Sequence, residues 1–174
     1  TGVKVKIKTP ENITLVTAEQ YANAAITAGV TDAEIEVAAV SKVTGESALT
    51  GVYKAFEANG VQLDTKRTEV AQQELEVTNK IAQENANANG FDSSKLDKAM
   101  IEIKKELAEL KEKQGQLATK EDIERIINEA LKNNSLQNVI SQDQINSLVA
   151  FAQNYQNTSA IDSKQVLEQL NSLS

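Results

Sequence analysis

The hydrophobic pattern of the chain changes near Asp64, and this change constrains the fold more than any other feature of the sequence. Before Asp64, segments that alternate polar and apolar residues lie between segments with helical spacing. After it, apolar residues recur every three or four positions, and no further strand is indicated. The pattern predicts an α+β fold, in which a small sheet of about three strands with two helices precedes a helical hairpin or bundle region.

Three segments in the first part have the pattern of β-strands. Residues 3–8 alternate strictly between apolar residues and lysine, which is the period of a half-buried strand. Residues 13–16, after the turn at Pro10, form a second segment. Residues 34–40 form a third, and their small and apolar end indicates an interior strand.

Two helices are expected before Asp64. The first begins at the capping-box spacing of residues 17–20 and ends at Gly29. The second runs from about residue 46 to 59 and carries a stripe of small residues: Ala48, Gly51, Ala55 and Ala58. Glycine inside a helix is costly, so the stripe indicates either close packing against another backbone or a groove for a ligand.

The second part predicts five helices, over about 64–87, 93–114, 119–133, 141–155 and 163–173. In the second of these, apolar residues repeat at intervals of four, three, four and three: Leu96, Met100, Ile103, Leu107 and Leu110. Such a repeat is typical of a helix in an antiparallel bundle, and also of a short dimerising coiled coil. The second interpretation predicts an oligomeric scaffold.

Composition suggests three units. Residues 1–62 form the α/β portion, and residues 63–134 form a helical region. Residues 135–174 carry four charged residues and twelve Asn or Gln. They are expected to form either a separate Asn/Gln-rich helical subdomain or a tail that docks on the rest.

The residue types present exclude several classes of function. The chain has no His and no Cys, so Ser-His-Asp or Cys-His catalysis and the usual zinc sites are excluded, and we predict no metal and no cofactor. A net charge of −7 without a basic patch argues against nucleic-acid binding. No apolar run is long enough for a transmembrane segment. A non-catalytic role is therefore favoured.

One loop is a candidate ligand site. Residues 41–47 lie between a predicted strand and a predicted helix, where free amides at a helix start often bind anions. The loop lacks the Gly-Lys-Ser/Thr ending of a phosphate loop, and Glu46 stands where a phosphate would lie. An ordinary helix cap is the competing interpretation. If a ligand binds, Thr44, Gly45 and Ser47 are the candidate residues.

Residues 85–90 imitate the start of a calcium-binding loop. Its first position is Asn85 where Asp is expected, and the twelfth falls on Leu96 where a bidentate Glu is required. The sequence therefore predicts a helix end and a turn in which Gly90 supplies a positive φ angle.

A distinctive pair of motifs lies within residues 34–57: Thr44-Gly45, followed by Ala-Leu-Thr-Gly at residues 48–51. With residues 13–29, this segment resembles the YpuA-like family, exported proteins of Gram-positive bacteria classed as domain of unknown function one thousand and two. The resemblance covers about residues 2–115. It implies an exported protein whose N-terminal part is missing here, and it supplies no catalytic residues.

Together these observations lead us to expect an extracellular or cell-envelope protein that binds a protein or a cell-wall polymer without catalysis. Two alternatives stay open. Plentiful acidic residues allow a carboxylate-dependent envelope hydrolase, and the Leu96–Leu110 repeat allows an oligomeric helical scaffold. The oligomeric state is not indicated.

Overall fold

The computed structural model describes residues 4–7, 13–14, 17–30, 34–37, 43–44, 53–54 and 62–173. Within them the α-helices are α1 (Ala18–Ala28), α2 (Thr65–Glu84), α3 (Ser93–Gln114), α4 (Lys120–Asn133), α5 (Gln142–Gln156) and α6 (Lys164–Leu173). A short 3₁₀ helix lies at Ser159–Asp162. The strands are β1 (Lys4–Ile7), β2 (Ile13–Thr14), β3 (Glu34–Val37) and β4 (Val43–Thr44).

The prediction of an α+β fold with a sheet of about three strands is wrong. The structure is mainly helical, and its described strand residues form two separate parallel pairs, β1 with β3 and β2 with β4. Residue alternation indicates an extended backbone but does not show how many partners it has. Residues 13–14 pair with 43–44, in a segment that the sequence suggested was a loop.

The predicted second helix lies mostly outside the described residues. Residues 53 and 54 are helical, and Tyr53 is buried. The small-residue stripe from Ala48 to Ala58 lies outside the described part of the chain, so the choice between close packing and a groove at Gly51 stays open.

Local signals set the helix ends as predicted. Thr17 caps α1 through a capping box with Gln20, and Gly29 ends the helix with a left-handed φ of 101°. Ser141 and Gln144 form the same box at α5. Gly90, at the turn after α2, has a φ of 86°, which confirms the predicted turn.

The core surrounds α1. Every residue of α1 from Gln20 to Ala28 is buried, because the helix packs against α2, α3 and α6 on different sides. From Gln20 to Ala28 the helix has no solvated face, and it is built largely of small residues that allow close approach. Its polar side chains must therefore find partners inside the protein.

The repeat in α3 lies inside this core. Leu96, Met100, Ile103 and Leu107 are each 1% exposed, and Leu110 is partly buried against the same cluster. They contact neighbouring helices of the same chain, as the bundle interpretation predicted. A coiled-coil dimer through this repeat would first have to open the core.

Residues 135–174 pack on the earlier helices. Helix α5 lies against α2 and α4, and α6 lies against α1 and α3. Phe151, Tyr155 and Leu170 are almost fully buried and belong to the common core. The division of the chain into units at residues 62 and 134 stays a prediction.

Candidate functional site

An ion pair lies in the core between α2 and α3. The Nζ atom of Lys104 is 2.8 Å from Oε2 of Glu74, and the two side chains are 0% and 2% exposed. Both positions fall on helix faces that point inward, beside Leu75 and Ile103. A buried pair of this kind needs further hydrogen bonds, because leaving water costs each charge several kcal/mol.

Helix α1 supplies those hydrogen bonds. The Lys104 ammonium also donates to the backbone oxygen of Asn23 and to Oγ1 of Thr27, both at 3.1 Å. Its three protons therefore have three acceptors. The Thr27 hydroxyl in turn donates to Oε1 of Glu74 at 2.6 Å. Three helices are thus joined by one charged cluster.

Burial lowers the pKa of Lys104, and the charge of Glu74 acts in the opposite direction. The ring centroid of Tyr155 lies 6.0 Å from the ammonium and adds a weak cation–π attraction. Neither Lys104 nor Glu74 reaches solvent. The Lys104 ammonium has three acceptors, and Glu74 accepts one hydrogen bond at each carboxylate oxygen. The arrangement can hold helices together, and no substrate can reach it without opening the core.

A small cavity of about 200 Å³ lies next to this cluster, between α1, α3 and α6. Its lining residues are Glu19, Asn23, Ser94, Asp97, Lys98, Ile101 and Leu173. Asp97 is 4% exposed and Asn23 is 2% exposed, whereas Glu19 and Lys98 reach solvent. The cavity thus joins buried polar groups to a charged entrance.

Asp97 and Asn23 are held together at the inner end. The Nδ2 atom of Asn23 donates to the backbone oxygen of Asp97 at 3.2 Å, and the Thr17 hydroxyl donates to Oδ2 of Asp97 at 3.3 Å. The Oδ1 atom of Asn23 is buried and accepts no hydrogen bond from any described residue. Such an unsatisfied acceptor is uncommon in a folded protein.

Asp97 titrates near neutrality. Burial, and then the negative charge of Glu19, raise the pKa of Asp97 to about 7, while the Thr17 hydroxyl acts in the opposite direction. At neutral pH the carboxyl group can therefore both donate and accept a proton. A shifted carboxyl group beside a cavity is typical of functional sites, although structural clusters show it too.

Two more open clefts follow the groove between α2 and α5. One, of about 360 Å³, includes Glu76, Lys80, Asp143 and Ser147, and the other, of about 300 Å³, includes Lys66, Glu69 and Asn157. In the lining of the second cleft, Nδ2 of Asn154 donates to Oε1 of Gln73 at 2.9 Å. The groove carries charges of both signs together with amides and hydroxyls.

The loop candidates are only partly visible. Thr44 lies in β4, directly opposite Thr14 of β2. Gly45 and Ser47 lie outside the described residues. Ligand binding by Thr44, Gly45 and Ser47 stays a prediction. In residues 85–90, which resemble the start of a calcium-binding loop, Asn85 is buried. Its Nδ2 atom donates to the backbone oxygen of Ile81 and to Oε1 of Gln144.

Sequence reasoning missed Glu74, Asp97 and Lys104. The available signal was position: Glu74 follows Val70 by four residues, and Lys104 follows Met100 by four, so each charged residue continues an apolar stripe. Charged residues are almost never fully buried unless they are paired, and nothing local in the sequence shows the pairing.

Further absences hold for the described residues only. The described residues contain no group of three or more acidic side chains placed to hold a metal ion. Within the same ranges, no helix combines the length and the hydrophobicity that crossing a bilayer requires.

Comparison with known proteins gives one family. The profile of the family described as "Protein of unknown function (DUF1002)" matches residues 1–173. The chain is 36% identical over 163 residues to a protein of Bacillus subtilis (strain 168) named "Uncharacterized protein YpuA". That alignment covers 91% of this chain and 51% of the relative, so the chain spans about half of the relative's length. No solved structure matches.

Proposed function

For this chain, which belongs to the DUF1002 family of proteins of unknown function, we propose the role of an exported protein of the cell envelope that binds a partner without catalysis. One observation carries the non-catalytic part. The ion pair of Lys104 and Glu74 is closed off from solvent and hydrogen-bonded to protein groups of α1. These charges therefore join α1, α2 and α3 inside the core and are closed to a substrate.

The composition of the chain is compatible with export. The chain has no cysteine, so an oxidising compartment offers it no thiol to modify or mispair. Its fold rests on an aliphatic core and on the internal charged cluster, and neither requires a disulfide. The protein is therefore suited to an extracellular or envelope location.

The groove between α2 and α5 is the proposed contact surface. Its clefts present the positive charges of Lys66 and Lys80 beside the negative charges of Glu69, Glu76 and Asp143. A surface with mixed charges is complementary to another protein, which also carries charges of both signs. A protein partner is therefore favoured over a cell-wall polymer.

Sedimentation with envelope fractions tests this proposal. The chain is incubated with membranes that keep their proteins and, separately, with purified cell wall freed of proteins. We expect retention on the protein-bearing fraction. Retention on the bare wall alone would assign the groove to a wall polymer, and no retention on either fraction would contradict the proposal.

Two tryptophan variants on α5 locate the contact. Ser147→Trp places a large ring in the cleft with Lys80, whereas Ala150→Trp places the same ring at an exposed position that does not line the clefts. We expect Ser147→Trp to reduce retention by about tenfold, which corresponds to about 1.4 kcal/mol. Ala150→Trp should bind like the unaltered chain.

A carboxylate-dependent envelope hydrolase is the second candidate, and Asp97 is the observation that favours it. This carboxyl group has its pKa raised to about 7 and shares a cavity with Glu19. Two carboxyl groups in different environments are the arrangement used for acid–base hydrolysis. Release of soluble fragments from cell wall, lost in both Asp97→Asn and Glu19→Gln, would establish this activity.

A further inference from the structure

The cavity between α1, α3 and α6 has two chemically different ends. Ile101 and Leu173 contribute apolar surface, whereas Asn23 and Asp97 place amide and carboxyl groups at its buried side. A volume of about 200 Å³ accommodates a short chain of carbon atoms with a small polar head. Glu19 stands at the exposed side and adds a negative charge.

The buried end has unused capacity to accept hydrogen bonds. Oδ1 of Asn23 has no donor among the described residues, although the side chain is 2% exposed. An ionised carboxylate can accept about four hydrogen bonds, and Oδ2 of Asp97 has a long one, at 3.3 Å, from Thr17. A ligand that fits here must therefore bring several donors.

We propose that this cavity binds a primary ammonium group carried on an aliphatic stem, such as a lysine side chain or a free diamine. An ammonium group has three donors, which match the Asp97 carboxylate, Oδ1 of Asn23 and the Ser94 hydroxyl among the lining residues. The stem lies against Ile101 and Leu173. This site is separate from the α2–α5 groove.

The other common ligand classes fit less well. An anion would meet the carboxylates of Asp97 and Glu19. The nearby helix starts are also already capped, α1 by the Thr17 hydroxyl and α3 by the Asp92 carboxylate. A metal ion lacks ligands, since the described residues hold no cluster of three acidic side chains.

The charges around Asp97 give the binding a pH dependence. Glu19 on α1 and Glu74 on α2 are negative, whereas Lys98 and Lys104 on α3 are positive. An ammonium ligand interacts more favourably with the ionised form of Asp97 than with the neutral form. Its affinity should therefore rise as the pH rises through the pKa of Asp97, and binding near neutrality should release a proton.

Calorimetric titration with n-pentylammonium tests the proposal. For a ligand of this size we expect a Kd of about 1 mM at about pH 8. Pentanol has the same stem without the charge and should not bind measurably. Nα-acetyl-lysine methylamide and 1,5-diaminopentane then separate the two sources of the group, because one is a peptide side chain and the other a free diamine.

Three variants show whether Asp97 is responsible. Asp97→Asn keeps the shape of the site and should weaken binding by at least about tenfold. Lys98→Met removes a positive charge beside the cavity and should strengthen binding severalfold. Glu124→Gln removes a negative charge from an exposed position on α4, outside the cavity lining, and should leave the affinity unchanged.

The outcomes are separable from those of the envelope experiment. Absence of heat at about 10 mM n-pentylammonium, or equal affinity in Asp97→Asn, would overturn the ammonium site. Retention on the envelope fraction depends on the α2–α5 groove, so it can persist when the amine does not bind. Binding that follows the three variants as stated supports the site even if no envelope fraction retains the protein.

Discussion

Lys104 donates a 2.8 Å hydrogen bond to Glu74 at a place in the core that solvent does not reach. The two residues lie on different helices, and α1 completes the cluster through Asn23 and Thr27. A buried pair of this kind is weak evidence for added stability, because desolvation offsets the attraction. Breaking it on one side is costly, because the remaining charge stays buried.

The first prediction concerns this pair. Glu74→Met and Lys104→Met should each lower the free energy of unfolding by about 3–5 kcal/mol, because each leaves one buried charge without its counter-ion. The double variant Glu74→Met, Lys104→Met removes both charges and should recover most of the loss. Urea denaturation of the four proteins measures the coupling.

Lys105→Met is the matched control for that experiment. Lys105 is the next residue on α3 and is partly exposed, so its loss should change stability by less than about 0.5 kcal/mol. Additive effects of the two single variants, with no recovery in the double variant, would contradict the structural role assigned to the pair.

The second prediction concerns stability and pH at Asp97. Burial and the charge of Glu19 raise the folded-state pKa of this group to about 7, whereas an unfolded Asp titrates near about 3.9. Between these values the folded state holds the extra proton, so stability declines as the pH rises through this window. Asp97→Asn stays neutral throughout and should escape this decline.

Asp97→Asn should therefore be more stable than the unaltered chain by about 2–4 kcal/mol at about pH 8, and nearly equal to it at about pH 4. Urea midpoints at the two pH values measure this difference. Glu124→Gln, at an exposed position, provides the control and should show no such pH-dependent gain. A gain of the same size at both pH values would mean that the proton is not responsible.

The third prediction concerns Arg67, which closes the end of α1. Its Nε atom donates to the backbone oxygen of Thr27 at 2.9 Å, and Nη2 donates to that of Ile26 at 3.0 Å. Arg67→Met should destabilise the protein by about 1–3 kcal/mol, because two carbonyl groups lose charged donors at a helix C-terminus.

Arg67→Lys should recover only part of that loss, because an ammonium group cannot reproduce the planar fork of a guanidinium group. Lys66→Met is the neighbouring control, because the Lys66 side chain is exposed. Thermal unfolding compares the three variants. If Arg67→Met unfolds at the same temperature as Lys66→Met, the two hydrogen bonds do not stabilise α1.

The fourth prediction concerns oligomeric state. Because Leu96, Met100, Ile103 and Leu107 are buried within one chain, we expect light scattering to give the mass of a monomer. Ile103→Asp should unfold the chain, since it buries a charge in an apolar core. A folded Ile103→Asp protein with half the mass of the unaltered one would instead establish a dimer through this repeat.

Helix ends could be predicted from the sequence because the interactions that set them are local. The Thr17 and Gln20 box, the Ser141 and Gln144 box, and the left-handed Gly29 each depend on residues three or four positions apart. Of the two interpretations that the α3 repeat left open, the structure has the bundle helix, whose single buried face the period of the repeat indicates.

Strand partners and the charged cluster could not be predicted in this way. The register of β2 against β4 joins residues thirty positions apart, and alternation does not specify it. Lys104 and Glu74 are also thirty residues apart, and each looks locally like any solvated helix charge. Asp97 gains its raised pKa mainly from burial, which only the folded chain shows.

Product analysis during envelope binding tests the central claim, that the protein binds without transforming its partner. The chain is incubated with envelope fractions, and both the retained protein and any newly released fragments are followed by mass spectrometry. We predict retention on the protein-bearing fraction with no new fragment in the supernatant. Fragments that accumulate with time, and that disappear in Asp97→Asn, would contradict the claim.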